Sequence, residues 1–307
     1  MTIRNTAAVF ADLNLADLGI DLAAPAPPPT VSREQVCLVG AKDAHLATYS
    51  DLGAVEVPEA TVHRNSGNVQ YMPVRYTDFA DLARSVFADA LDAEPVHESY
   101  ALARGGNQMF GRIVFPWRGR EDRGFQVALR SSYDMSISNQ VAGGLSTFIC
   151  ANGMLSGEAM IKAKHTLNVG PALVGMLREM AGRVDATGAA MNARLDGWSN
   201  TPMGDDLFYA FCGILVGRGM VTPTIANAAM RYWRACRSGE LHNEHSDPTL
   251  ANAYQAVSGG LLTAHPARAF RQFASVDHVA DAVARSGGAM TGIPEFALDI
   301  EEYSAAA

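Results

Sequence analysis

"MFGRIVFPWRGREDRGFQVALRSS", residues 109–132, holds two runs that mix apolar and polar residues, separated by a charged bend. Phe125, Val127 and Leu129 recur at every second position, with Gln126 and Arg130 among the polar interruptions. A period of two belongs to a β-strand with one buried face. The bend at 118–124 then reads as the loop of an antiparallel hairpin, longer than the tightest turns.

Working outward, the same texture continues on both sides. SYALARG (99–105) is a further strand candidate, and VCLVG (36–40), AVEVPEATVH (54–63) and NVQYMPV (68–74) read as extended pieces broken by Gly and Pro. Downstream, Asn152-Gly153 lies between the apolar runs 148–151 and 154–155. Both residues tolerate positive φ, so the pair predicts a tight hairpin turn. Between the extended pieces, Phe79, Leu82, Ala83, Val86, Phe87, Ala90 and Leu91 recur at helical spacing over 78–93, with Thr77 as cap and Pro95 beyond the end. After His165 the pattern is helical. Pro171 suits the first turn of a helix carrying Leu173, Met176, Leu177, Met180 and Val184. A second helix is expected over 205–216, and a last one over 276–285, ending at Gly287-Gly288. Thr222-Pro223 and Asp247-Pro248 each read as a cap with proline at the first helical position.

These elements predict an α+β fold: an antiparallel sheet in the central region packed by helices, with an all-helical C-terminal part. Residues 1–33, which include the proline stretch AAPAPPPT, read as an N-terminal arm and linker. Residues 34–170 form the sheet-containing region and 171–307 the helical region packed on it, an arrangement that one continuous domain also accommodates.

Composition narrows the function classes. With 48% hydrophobic and 18% charged residues the chain is globular. No apolar run approaches the roughly 18 residues of a membrane span, and the N-terminal stretch carries acids where a signal peptide is apolar, so a cytosolic protein with no membrane partner is expected. Cys37, Cys150, Cys212 and Cys236 stand far apart without a C-x-x-C pair, which argues for thiols rather than disulfides or a zinc ribbon. The glycine-rich loops of nucleotide enzymes, the G-x-S-x-G elbow and H-E-x-x-H are absent from the sequence, and no cofactor is expected. His242, Glu244, His245 and Asp247 crowd one short stretch, but it reads as a polar loop whose Asp247 caps the next helix, and no metal site is expected there.

Charge is distributed unevenly. The net charge is −8, yet Arg104, Arg112, Arg118, Arg120, Arg123 and Arg130 face only Glu121 and Asp122 between residues 101 and 130. Lys162 and Lys164 alternate along a further strand candidate, which puts both on one face and His165 on the other. Tyr100, Phe110, Phe115, Trp117, Phe125 and Tyr133 lie among these charges. Two readings follow: arginines on a solvated sheet face with the aromatics in the core, or a nucleic-acid surface in which cations take phosphates and rings stack on bases. A different chemistry is also represented by residue type, since Cys150, His165 and Asp134 could serve as thiol nucleophile, base and orienting carboxylate.

Four short elements, RSSYDMS (130–136), FICANGML (148–155), KAKHT (162–166) and TLANAYQAVS (249–258), resemble in order the motifs of the family of domain of unknown function 932. Asp134 and Ser136, Cys150 and Asn152, His165 and Thr166, and Leu250 and Tyr254 carry the match. Tyr133 stands where that family usually has histidine and Met135 where it has glycine, and Ala251, Gln255 and Ser258 depart from its distal pattern. The resemblance implies a bacteriophage, prophage or plasmid context in a bacterial cell, and supplies no established activity. The expected function is therefore a non-enzymatic nucleic-acid-binding protein, for single-stranded DNA binding or annealing. A thiol-dependent hydrolase using Cys150, His165 and Asp134, and an assembly or host-interaction protein without catalysis, are the alternatives. Short strands with open edges add self-association to the expectations.

Overall fold

The computed structural model describes residues 45–62, 69–118, 120–147, 153–240, 246–261 and 266–290. The N-terminal arm, the strand expected at 36–40, Cys37, Cys150 and the loop with His242, Glu244 and His245 lie outside the described residues.

The alternation around residues 109–132 builds the centre of the sheet. Strand β1 (His45–Ala47) is followed by helix α1 (Tyr49–Ala54), a small ribbon of β2 (Thr61–Val62) and β3 (Val69–Tyr71), and helix α2 (Tyr76–Leu91). Then come β4 (His97–Ala103), β5 (Gln108–Trp117), β6 (Arg120–Ser132), β7 (Asn139–Thr147) and β8 (Gly153–Ala163). The large sheet is antiparallel in the order β1-β4-β5-β6-β7-β8, a meander with β1 added at one edge. The rest is helical: α3 (Val169–Ala181), α4 (Val184–Ser199), α5 (Asp205–Gly217), α6 (Pro223–Arg237), α7 (Leu250–Leu261) and α8 (Pro266–Arg285). Among the described residues no helix is long and apolar enough to cross a membrane. The α+β class read from the sequence is the fold observed.

Odd-numbered residues of β5 and β6 face the helices. Met109, Ile113, Phe115, Phe125, Val127 and Leu129 join Phe79, Leu82 and Phe87 of α2 in one apolar cluster that continues through Leu173, Phe211, Trp233, Tyr254 and Val283 of the helical part. Phe87 lies with its ring centroid 6.3 Å from both Phe115 and Phe125. Such contiguous burial is the main driving term for both halves of the chain. The opposite sheet face is also withdrawn from solvent: Phe110, Ala128 and Ala142 form a small apolar group, and Gln108, Arg112, Gln126 and Arg130 are all buried there.

Several local expectations are corrected. Strands β5 and β6 stay paired as far as Trp117 and Arg120, so most of the charged bend is strand. Gly153 pairs with Ser146 as part of β8 rather than sitting in a turn, and Asn152 lies outside the described residues. Thr77 lies inside α2, whose N-cap is Arg75 without a side-chain cap bond. The extended reading of 54–63 and 68–74 shrinks to β2 and β3, while Tyr49–Ala54 is a helix closed by a Thr48–Asp51 capping box. Val184 opens α4 instead of ending α3, because the chain breaks at 182–183. Thr222 does cap α6, with proline at its start. At α7 the cap moves to Thr249, whose hydroxyl accepts the Asn252 N–H at 3.3 Å. Pro248 cannot begin that helix because its carbonyl accepts the Met203 N–H at 2.7 Å and holds the chain extended. Helix α8 begins ten residues before the expected 276.

Candidate nucleic-acid interface

The structure distributes the predicted cations over both faces and both ends of the sheet. Arg123 shares the helix-facing side with Phe125 and is tied to α4, donating to Asn192 at 2.7 Å and to Asp196 at 2.9 Å. Arg112 and Arg130 point to the other face and are only 6% and 5% exposed. Arg130 lies over the Phe110 ring, 5.7 Å from its centroid, and donates to Gln140 at 3.3 Å. Burial lowers the Arg130 pKa to about 10. Arg118 sits exposed at the β5–β6 turn, donating to the Ala90 carbonyl at 3.2 Å with Asp185 3.8 Å away. Arg120 opens β6 beside it, and its side chain lies outside the described residues.

The opposite end of the sheet carries further exposed cations. The β4–β5 turn carries Arg104, whose side chain is 54% exposed and reaches Asp134 at 3.1 Å. Lys162 at the end of β8 and Lys164 just after it are exposed, on the side of the strand away from buried His165. Arg75, at the start of α2, is also exposed here. It had no sequence signal as a site residue, because a lone arginine before a helix is ordinary. What locates it is the hydrogen bonding of its neighbours.

Those bonds tie the end into one platform. The Tyr76 N–H donates to the Tyr133 hydroxyl at 3.2 Å, and the Tyr76 hydroxyl donates to the Gly106 carbonyl at 3.2 Å. The two rings stack with centroids 4.0 Å apart. The Tyr133 N–H donates to the Asn107 carbonyl, joining the β4–β5 and β6–β7 turns. Gln108 donates to Ser136 at 2.7 Å, and both the N–H and the hydroxyl of Ser136 donate to Asp134. Burial raises the Asp134 pKa, but the bonds from Ser136, Ser132 and Arg104 outweigh it and hold the carboxyl below its usual range. Two of the most exposed large apolar side chains, Met135 (64%) and Leu167 (63%), belong to this end.

His165 is part of the platform's underside. Its Nε2 faces the Ile137 carbonyl at 3.2 Å, which can only accept, so the proton sits on Nε2. Nδ1 then accepts from the Asn139 amide at 3.3 Å, and Asn139 in turn accepts from Ser131 at 2.7 Å. The Tyr71 ring lies 5.1 Å away, and the His165 carbonyl accepts from the Met72 N–H at 3.0 Å. Both ring nitrogens are thus engaged by Ile137 and Asn139, while Asp134 engages Arg104 and Ser136. Cys150 lies outside the described residues, and among the described residues no His165–Asp134 hydrogen bond joins the other two members of the thiol set. No group of three or more metal-ligating side chains occurs among the described residues.

Burial depresses the His165 pKa, only partly offset by its backbone bonds. Unfolding frees the ring to take a proton near pH 6.5, so its contribution to stability is complete above that pH and lost as pH falls below it. The slope approaches about 1.4 kcal/mol per pH unit for one proton. His97, lowered by burial and then by Arg112, has the same sign. The expected result is a smaller difference between urea midpoints at pH 7.5 and 5.5 for His165→Gln than for the parent chain. Equal differences would remove His165 from the acid response.

The aromatic rings that lie among the cations in sequence are in the core: Tyr100, Phe110, Phe115, Phe125 and Tyr133 are buried, and Trp117 packs against Gly188 of α4. None of the described Phe, Tyr or Trp side chains is fully exposed. No family model, no curated protein and no solved structure matches the chain.

Proposed function

We propose that this chain is a non-enzymatic nucleic-acid-binding protein of the mobile-element kind implied by its motif resemblance, holding single-stranded DNA at the basic end of its sheet. The observation that supports the reading is that exposed Arg75, Arg104, Lys162 and Lys164 all lie at one end of the sheet, in a chain of net charge −8. Cations carried on backbone that the fold already orders need less ordering on binding, which lowers the entropic cost of association. Lys162 and Lys164 are two residues apart along an extended chain, about 7 Å, a spacing that suits neighbouring phosphates of one strand.

The test is fluorescence anisotropy with a short labelled single-stranded oligonucleotide across a salt series. Four phosphate contacts predict a log–log slope of about −3, at about −0.7 per contact. Lys162→Glu combined with Lys164→Glu is expected to weaken binding and to reduce that slope by roughly 1.4. Arg118→Ala, at the far end of the sheet, is expected to change neither. Absence of binding by the parent chain at low salt would overturn the reading.

A further inference from the structure

The tip of the β6–β7 turn spends conformational energy on a side chain that buries nothing in the core. Met135 has φ 61°, in the left-handed region that a side chain with a Cβ disfavours. It is also the most exposed large apolar side chain among the described residues, at 64%. The turn around it is held from both sides. Ser132 and Ile137 close it with bonds of 2.9 Å and 3.0 Å, Ser136 is fixed by Asp134 and Gln108, and Asp134 also holds Arg104. A strained, solvent-facing methionine held by a braced turn is an outlier that points to a functional role. Asp134 beside it holds Arg104 at 3.1 Å, and Lys162 and Lys164 are exposed at the same end of the sheet.

We propose that Met135 is an apolar contact for the bases of a strand whose phosphates lie on those cations, packing on exposed bases much as apolar side chains wedge between the base steps of duplex DNA. The inference rests on the nucleic-acid reading above and adds to it a residue that acts on bases rather than on charge.

Met135→Gly tests it because glycine relieves the positive φ while deleting the contact. The variant is expected to melt about 2 °C higher than the parent, yet to bind a single-stranded oligonucleotide about fivefold more weakly, as loss of one partly buried apolar side chain implies. Its salt slope stays that of the parent, in contrast to the lysine variants. An abasic oligonucleotide of the same length, which keeps the phosphates and lacks the bases, is expected to bind parent and variant equally. Unchanged affinity of Met135→Gly for the base-bearing strand, or an equal loss on the abasic one, would overturn the assignment of Met135 and leave the phosphate site standing. Failure of the parent chain to bind either oligonucleotide would overturn the nucleic-acid reading itself.

Discussion

Replacing Arg84 with methionine is expected to lower the free energy of unfolding by about 3–5 kcal/mol. The guanidinium grips Glu98 with two parallel bonds, 2.6 Å from Nε and 2.8 Å from Nη2, and reaches Asp81 at 2.7 Å from Nη1. Tyr100 donates to Glu98 at 2.8 Å and Tyr49 donates to Asp81 at 2.6 Å, so α1, α2 and β4 share one closed set of charges and hydroxyls. Glu98 is only 1% exposed. Methionine matches much of the volume, and the cost comes from leaving that carboxylate buried without its cation rather than from a cavity. Urea unfolding followed by circular dichroism measures it. Adding Glu98→Gln to the variant is expected to recover a good part of the loss, because the two positions act as one unit. A loss under about 1 kcal/mol for Arg84→Met, the range typical of exposed pairs, would show that water reaches the carboxylate.

Gly260→Ala is expected to destabilise the helical part. A Cβ built there would lie 2.6 Å from the Ile225 carbonyl oxygen and 3.1 Å from the Ala229 nitrogen. Both are backbone atoms of α6, so no side chain can swing aside, and α6 and α7 must separate along their whole contact. Overpacking of this kind costs about 1–3 kcal/mol and occasionally more, and a fall in Tm of roughly 2–5 °C follows for a chain of this size. Gly213 supplies the opposite sign from the same chemistry. It lies exposed in α5 with nothing within 4 Å of a built Cβ, and Gly213→Ala is expected to stabilise by up to about 1 kcal/mol through helix propensity. If both variants melted together, close approach of α6 and α7 would not be what Gly260 provides.

The strongest local patterns were legible in the sequence. Alternation at Phe125, Val127 and Leu129 placed β6, and the spacing of Phe79 to Leu91 placed α2, because each element has one buried face of the right period. Helix α4 left little trace. Its buried positions are Val184, Gly188, Met191, Leu195 and Trp198, a stripe one residue wide in which a glycine takes the Trp117 ring. The parity that separates Arg123 from Arg112 and Arg130 was readable from residue numbers. Their burial was not, since alternating charge looks the same on a solvated face and on one closed off by packing. The basic end was half visible: Lys162, Lys164 and Arg104 stood out by charge, whereas Arg75 and the turn geometry of Met135 depend on contacts between segments 28 to 57 residues apart in the chain.

The β8 ladder has a consequence for how the sheet meets other chains. Pairing to β7 runs over Gly153–Leu155 and again over Met160–Ala163, and between them the register shifts opposite Gly143. At the other border β1 contributes three residues. Among the described residues, an incoming strand would therefore find no long, straight row of peptide groups to copy on either side. Natural sheets that must stay as single copies blunt their borders in this way, with short or irregular outer strands, and here the irregularity is written into the backbone of the outermost strand itself.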